Sequence, residues 1–292
     1  MATKPLAPLV VIAGPTASGK SSLAMELAQQ FRGEIICADS RTIYTGMDIG
    51  TAKPSSADRA LVPHWGLDLV EPGEYFSAAD FKTYAVQKIA EIRARGHVPF
   101  LVGGTGLYID SVVFDYAFGP AADKERREQL NTMTIEELYN YCNKNNVVLP
   151  ENEKNKRYVI RAIELAGIPS GRRVTPIENT IIVGIATDRD VLRQRITDRA
   201  EQLFENGVVQ EATTLGEKYG WEGEAMSSNI YPLVQQYLQN NLTLDELKER
   251  FIIADWQLAK RQLTWLRRNS FVQWVSLSDA KTLLVSLLAK AK

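Results

Sequence analysis

Residues 8–23 constrain this chain more than any other stretch. An apolar run, Pro8-Leu9-Val10-Val11-Ile12-Ala13, leads straight into Gly14-Pro15-Thr16-Ala17-Ser18-Gly19-Lys20-Ser21. The second block satisfies G-x-x-x-x-G-K-[ST] in full. Its context matches as well, with a short buried-strand pattern before it and a helical pattern after it. Gly14 and Gly19 admit backbone angles that a side chain disfavours. Successive N–H groups can therefore line one concavity at a helix N-terminus, where the dipole favours an anion. Lys20 would set a cation on a terminal phosphate, and the Ser21 hydroxyl suits Mg²⁺. Leu23, Ala24, Leu27, Ala28 and Phe31 then recur at helical spacing and predict a helix that packs on a sheet. A strand-to-helix turn with no ligand is the alternative, and the complete motif in context argues against it. The loop is silent on whose phosphates are held and on whether the chemistry is hydrolysis, phosphoryl transfer or another reaction.

The strand–turn–helix unit recurs. Glu34–Ala38 reads as a strand ending at Asp39-Ser40-Arg41-Thr42. Val98–Val102 reads as another, ending in Gly103-Gly104-Thr105-Gly106, where glycines would let a substrate approach the backbone and Thr105 adds a hydroxyl. Thr180–Ala186 is continuously apolar, as a strand buried on both faces should be. Repetition of the unit predicts an α/β fold, a P-loop NTPase-like parallel sheet core with helices on it. Ligands in such sheets sit beyond the carboxyl ends of the strands, which places Asp39 toward the phosphate site. There it could join a Mg²⁺ shell, accept a proton, or merely cap a turn. His64 has no metal-binding partner in the sequence and reads as a packed side chain. Helices are predicted over 190–205 and along the face Ile252, Trp256, Ala259, Leu263 and Leu266, with a last strand at 271–276 and a short helix at 283–288.

The character changes near Gly119. From Asp123 to Ala166 the chain is densely charged and helical in spacing, with a capping-box pattern at Thr134/Glu137. Residues 120–176 are therefore predicted to be a small all-helical insertion, and 1–119 with 177–292 the catalytic core. The 34 basic and 35 acidic residues nearly cancel, so any basic surface must be local. The cluster Lys154, Lys156, Arg157, Arg161 fits a solvated helix face and a nucleic-acid contact equally. Cys37 and Cys142 lie far apart with no C-x-x-C, which suits reduced thiols in the cytoplasm. No apolar run reaches membrane-spanning length, and the first strand begins too early to leave room for a signal peptide.

Several blocks together resemble the tRNA dimethylallyltransferases (isopentenyltransferases). They are Gly14 to Ser21, Asp39-Ser40-Arg41, Tyr44 with Gly46 to Pro54, Ser77 to Phe81, Val102 to Tyr108, Arg161 to Glu164, and Ala259 to Arg267. The resemblance implies transfer of a dimethylallyl group from its diphosphate to N6 of the adenine beside the anticodon of tRNA. The phosphate loop would then hold a leaving group, with Mg²⁺ and Lys20 countering its charge. By the same resemblance Asp39 is the general base and Thr105 lies near the diphosphate. Asp39, Ser40, Arg41, Thr42, Arg157, Arg161, Lys260, Arg261, Gln262 and Arg267 would contact the anticodon stem-loop. The absence of a C-terminal Cys/His zinc pattern suggests a bacterial-type, cytoplasmic enzyme, expected to be a monomer. Three positions depart from the family. Ser227 stands where an Arg used near the diphosphate is usual, Thr42 replaces a Gln, and Tyr158 replaces an Arg. Competing expectations are prenyl transfer to free adenosine phosphates, a P-loop kinase of small metabolites, and a nucleic-acid-binding protein that has lost its chemistry.

Overall fold

The computed structural model describes residues 6–290 except 122, 167, 169 and 170. The chain forms two compact units, Met1–Val113 with Pro176–Lys292, and Phe114–Thr175.

In chain order the first unit begins with β1 (Leu9–Ala13), α1 (Lys20–Phe31), β2 (Gly33–Ala38), α2 (Ser56–Leu61), β3 (His64–Trp65), α3 (Ala78–Ala94), β4 (Val98–Gly103) and α4 (Gly106–Val113). The second unit supplies α5 (Lys124–Thr132), α6 (Ile135–Lys144) and α7 (Lys156–Glu164). The first unit then resumes with β5 (Thr180–Ile185), α8 (Arg189–Glu205), α9 (Val208–Tyr219), α10 (Tyr231–Leu238), α11 (Leu244–Leu266), β6 (Gln273–Val275) and α12 (Leu277–Lys290).

The six strands form one sheet in the order β3-β2-β4-β1-β5-β6. Every neighbouring pair is parallel. β1 lies between β4 and β5, with Val10 opposite Phe100 on one side and Ile181 on the other. All five residues of β1 are buried, as the unbroken apolar run requires. The buried face of α1 is Leu23, Ala24, Leu27, Ala28 and Phe31, the residues picked out by spacing. They join Val10, Ile12, Ile35, Phe100, Val183 and Leu284 in the main core. β3 has only two residues, too few to carry a periodic signal. It is defined by pairing Ile35 with His64, whose Nδ1 lies 2.8 Å from the Val62 carbonyl oxygen.

The second unit has its own core of Leu130, Leu138, Cys142, Val159, Ile160 and Ile163. The Thr134/Glu137 capping box starts α6 as its sequence predicts. The unit begins at Phe114, earlier than the composition change near 120. Its neck is a backbone pairing in which Ala117 bridges Gly171 and Arg173 N donates to Phe114 O at 2.8 Å. Backbone pairing of that kind leaves no mark in charge or periodicity. No helix among the described residues is long and apolar enough to cross a membrane.

Candidate active site

Three strand ends meet at one edge of the sheet. β1 ends in the phosphate loop, β2 in Asp39 and β4 in Gly104-Thr105. The backbones are stitched together there: Gly14 N donates to Gly103 O at 3.3 Å, Thr105 N to Ala38 O at 3.2 Å, and Ser40 N to the Thr105 hydroxyl at 3.1 Å. Thr105 thus holds the turn that carries Asp39. One carboxylate oxygen of Asp39 accepts from Arg41 N at 2.8 Å. Asp39 is only half-buried.

The loop from Gly14 to Ser21 runs into the first turn of α1. Gly19 caps that helix with φ of 89°, a left-handed conformation that strains any side-chain-bearing residue. The Lys20 ammonium donates to Pro15 O at 3.0 Å and so lies over the loop. Burial pulls its pKa down to about 8, opposed by the attraction of Asp39 and reinforced by repulsion from Arg199. Ser21 is exposed on the first turn. Thr16 and Ser18 are buried, and the Ser18 hydroxyl has no hydrogen-bond partner.

Two arginines that sequence reading passed over reach this loop from α8. Arg195 donates to Ser18 O at 3.2 Å, and Arg199 donates to the Thr16 hydroxyl. Both were legible only as part of a charged amphipathic helix, and a one-dimensional pattern does not say what a helix face meets. Gln262 comes from α11. Grouped by resemblance with the tRNA contacts, it accepts from Thr16 N at 2.8 Å and braces the phosphate loop. The glycines after β4 also make room for a neighbouring helix. A Cβ on Gly104 would collide with the Gln262 amide, and one on Gly106 with the Trp265 ring. These glycines admit α11, with Trp265 Nε1 donating to Asp110 at 2.7 Å.

The remaining predicted residues divide by what their side chains do. Thr42 is buried and its hydroxyl donates to Asp39 O at 3.3 Å, supporting the Asp39 turn. Arg41 donates to Glu224 O at 2.7 Å, the same carbonyl that accepts from the Ser227 hydroxyl at 2.6 Å. Ser40 is half-buried, its N–H on Thr105. Lys260, Arg261 and Arg267 are exposed on and just beyond α11. In the second unit Arg157 is exposed, whereas Arg161 is spent internally on Glu164 at 3.1 Å and on Pro120 O at 3.0 Å.

The stretch Asp48 to Pro54, mute as a pattern, is a brace. Glu211 of α9 accepts from the consecutive amides of Asp48, Ile49 and Gly50 at 2.8, 2.6 and 2.8 Å, and from the Tyr231 hydroxyl at 2.9 Å. The Lys53 side chain is 1% exposed and joins Asp48 at 2.8 Å, Asp68 at 2.5 Å and Tyr44 O at 2.7 Å. An open cleft of about 640 Å³ lies beside this brace, between residues 45–49 and α9, and contains no phosphate-loop residue.

A parallel sheet whose strand ends gather the G-x-x-x-x-G-K-S loop, a carboxylate and converging cations defines an α/β enzyme of the P-loop NTPase-like class. The family model described as IPP transferase matches residues 42–269, and the chain belongs to that family. A tRNA dimethylallyltransferase of Desulforudis audaxviator is 39% identical over 289 residues, covering 93% of each chain. The crystal structure of a full-length tRNA isopentenylpyrophosphate transferase from Bacillus halodurans superposes with a TM-score of 0.74 at 34% identity, covering 97% of each chain. A eukaryotic dimethylallyltransferase acting on tRNA has the same fold, with a TM-score of 0.79 at 24% identity over 93% of this chain and 74% of that one.

Proposed function

We propose that this chain transfers a dimethylallyl group from dimethylallyl diphosphate to N6 of the adenine adjacent to the anticodon in tRNA, releasing diphosphate. The observation that carries the reading is the meeting of a phosphate-loop cation with a strand-end carboxylate: β1 and β2 flank β4 and deliver Lys20 and Asp39 to the same end of the sheet, where the carboxylate attracts the ammonium. A departing diphosphate needs the first, and an amine nucleophile that sheds a proton needs the second; what favours prenyl over phosphoryl transfer is the family to which the chain belongs. Membership in the IPP transferase family and the tRNA dimethylallyltransferase relatives support the same chemistry.

In this mechanism the allylic C–O bond breaks and its electron pair passes to a diphosphate oxygen. Lys20 and the loop amides counter the charge that builds there. The N6 lone pair forms the new C–N bond, and the N6 proton passes to the Asp39 carboxylate. Thr105 and Thr42 hold the Asp39 turn in register with the loop. The adenine must leave its stack to reach this edge of the sheet. With formal net charge −1, tRNA affinity has to come from local groups: Lys260, Arg261 and Arg267 on the core, and Lys154, Arg157 and Arg173 on the helical unit, all exposed. Ser21 suits Mg²⁺. It offers one exposed hydroxyl, and no acidic or histidine cluster among the described residues would demand a softer or fully protein-bound ion. That arrangement fits a cation that takes its other ligands from phosphate and water. Bound there, Mg²⁺ would neutralise diphosphate charge. The free thiols Cys37 and Cys142 are consistent with a reducing cytoplasm.

The test is label transfer from dimethylallyl diphosphate in the presence of unmodified tRNA, AMP, or neither. Label should enter tRNA and fall about 100- to 10,000-fold in Asp39→Asn, which keeps an acceptor for Arg41 N but loses the base. Transfer to AMP alone, or ATP consumption without prenyl transfer, would overturn the reading.

A further inference from the structure

Glu211 lies on α9, away from the strand ends, yet two routes of hydrogen bonds run from its carboxylate to the turn that carries Asp39. We infer that Glu211 is a positioning residue for the transfer reaction, a joint that closes both routes on Arg41 and so fixes the direction of the Asp39 carboxylate. The inference rests on the prenyl-transfer reading for its kinetic effect, though not for its geometry.

The first route runs through the loop after β2. Oε2 of Glu211 accepts from the Asp48 and Ile49 amides, and Oε1 from that of Gly50. Successive N–H groups turned onto one carboxylate hold that loop in a single shape. Lys53 carries the constraint onward: its backbone N–H donates to Asp48 O at 2.9 Å and its buried ammonium to Tyr44 O at 2.7 Å. Tyr44 N donates to Arg41 O at 3.5 Å, and Asp68, another partner of the ammonium, donates its N–H to Thr42 O at 3.3 Å. Arg41 N is the donor that orients the Asp39 carboxylate, at 2.8 Å.

The second route runs through Tyr231, whose hydroxyl donates to Oε1 at 2.9 Å. Gly50 admits that hydroxyl, since a Cβ there would lie 2.7 Å from it. Tyr231 opens α10 shortly after the single turn Ala225–Ser227, in which Ser227 N donates to Glu224 O at 3.1 Å. Asn229, between the two, is tied to the buried Asp255 of α11 at 2.8 Å, which leaves the stretch little freedom. Glu224 O then accepts from the Arg41 guanidinium at 2.7 Å. Arg41 is thus held at its backbone by one route and at its side chain by the other. A general base that is misdirected loses rate rather than substrate affinity, because its proton transfer belongs to the transition state. The phosphate loop lies on neither route.

Glu211→Gln in the full chain is the direct test. A glutamine has one acceptor oxygen, so its NH2 must face either the Asp48 and Ile49 amides or the Gly50 amide and the Tyr231 hydroxyl. Single-turnover transfer from dimethylallyl diphosphate to tRNA should fall about 10- to 100-fold, with pyrophosphate affinity unchanged. Amide exchange should quicken about tenfold or more in residues 39–44 and 224–227, and stay as in the wild type in residues 14–21. Tyr231→Phe keeps the ring and cuts only the second route. It should show part of the rate loss and faster exchange in 224–227, and it tests the inference even where Glu211→Gln does not fold. The double variant should be no slower than Glu211→Gln alone, as members of one network are not additive. Glu34→Gln is the control for stability, since this buried carboxylate at the far end of β2 binds Trp65, Arg95 and His97 instead. It should transfer as the wild type does. Unchanged exchange in 39–44 of Glu211→Gln and in 224–227 of Tyr231→Phe overturns the inference. An equal rate loss in Glu34→Gln also overturns it, by making the effect one of stability. If the wild type transfers no dimethylallyl group while Glu211→Gln still loosens 39–44, the positioning of Asp39 stands and the prenyl-transfer reading fails.

Discussion

Lys20 carries a measurable signature at the scale of single residues. Burial and Arg199 lower its pKa to about 8, while an anion in the loop would raise it. Above pH 8 the free loop holds a neutral amine, so binding a diphosphate must take up a proton and affinity should fall as pH rises. Calorimetry in buffers of different ionisation enthalpy at pH 9 should show this uptake in the wild type, over and above the ligand's own titration, and lose it in Lys20→Arg. The sign for folding is the reverse of a salt-bridged lysine's. Between pH 8 and 10.5 the unfolded chain holds the proton that the folded chain has released, so this group makes stability rise with pH across that window. The phosphate-loop residues were legible because their chemistry is local: each glycine, the lysine and the serine act within eight consecutive positions. Arg199 and Gln262 act on the same loop from 183 and 246 residues away, so no spacing rule could have found them.

The most informative element is the brace formed by α9 and residues 48–54. A carboxylate that accepts three consecutive amides and a tyrosine hydroxyl holds the loop in one conformation, and burial next to Glu211 raises the Tyr231 hydroxyl's pKa well above its ordinary value. Glu211→Gln keeps the shape but removes the charge, and should cost about 1–3 kcal/mol, read as a shift of the urea midpoint. α11 shows how an element can be read correctly yet incompletely. The face Ile252, Trp256, Ala259, Leu263 and Leu266 does turn inward, with Ala259 and Leu266 fully packed. The polar neighbour Gln262 nonetheless reaches the phosphate loop, because a side chain at the edge of the apolar stripe is free to bend either way. α9 and α10 leave little mark in the sequence, since they lie in stretches with mixed polarity and no strong caps, and they exist through packing on α8 and α11.

For the whole molecule, the division into a sheet core and a helical unit has a direct consequence. The chain leaves the core at Val113 and returns at Ile177, whose N–H donates to Val113 O at 2.8 Å. Replacing 114–175 by a short glycine–serine linker should therefore leave the core folded and still able to bind pyrophosphate. The same deletion should weaken tRNA binding about tenfold or more, as phosphate contacts from the second unit are lost. Binding isotherms for the two ligands, measured on one preparation, check both halves. Equal tRNA affinity in the deletion would remove the helical unit from recognition.

Sequence alone determined the parallel α/β class, the phosphate loop, the apolar faces of α1 and α11, and the family resemblance. It could do so because strands buried on both faces and a loop that must expose its amides impose strict local patterns. Tertiary structure alone decided that Gln262 accepts from the phosphate loop and that Arg161 pairs with Glu164 and Pro120 O inside the helical unit. It also decided that the glycines after β4 make room for α11, and that Arg195 and Arg199 reach the phosphate loop from α8. Each of those outcomes depends on which surfaces meet across hundreds of residues, and the free energy of such meetings is written in packing and charge rather than in spacing.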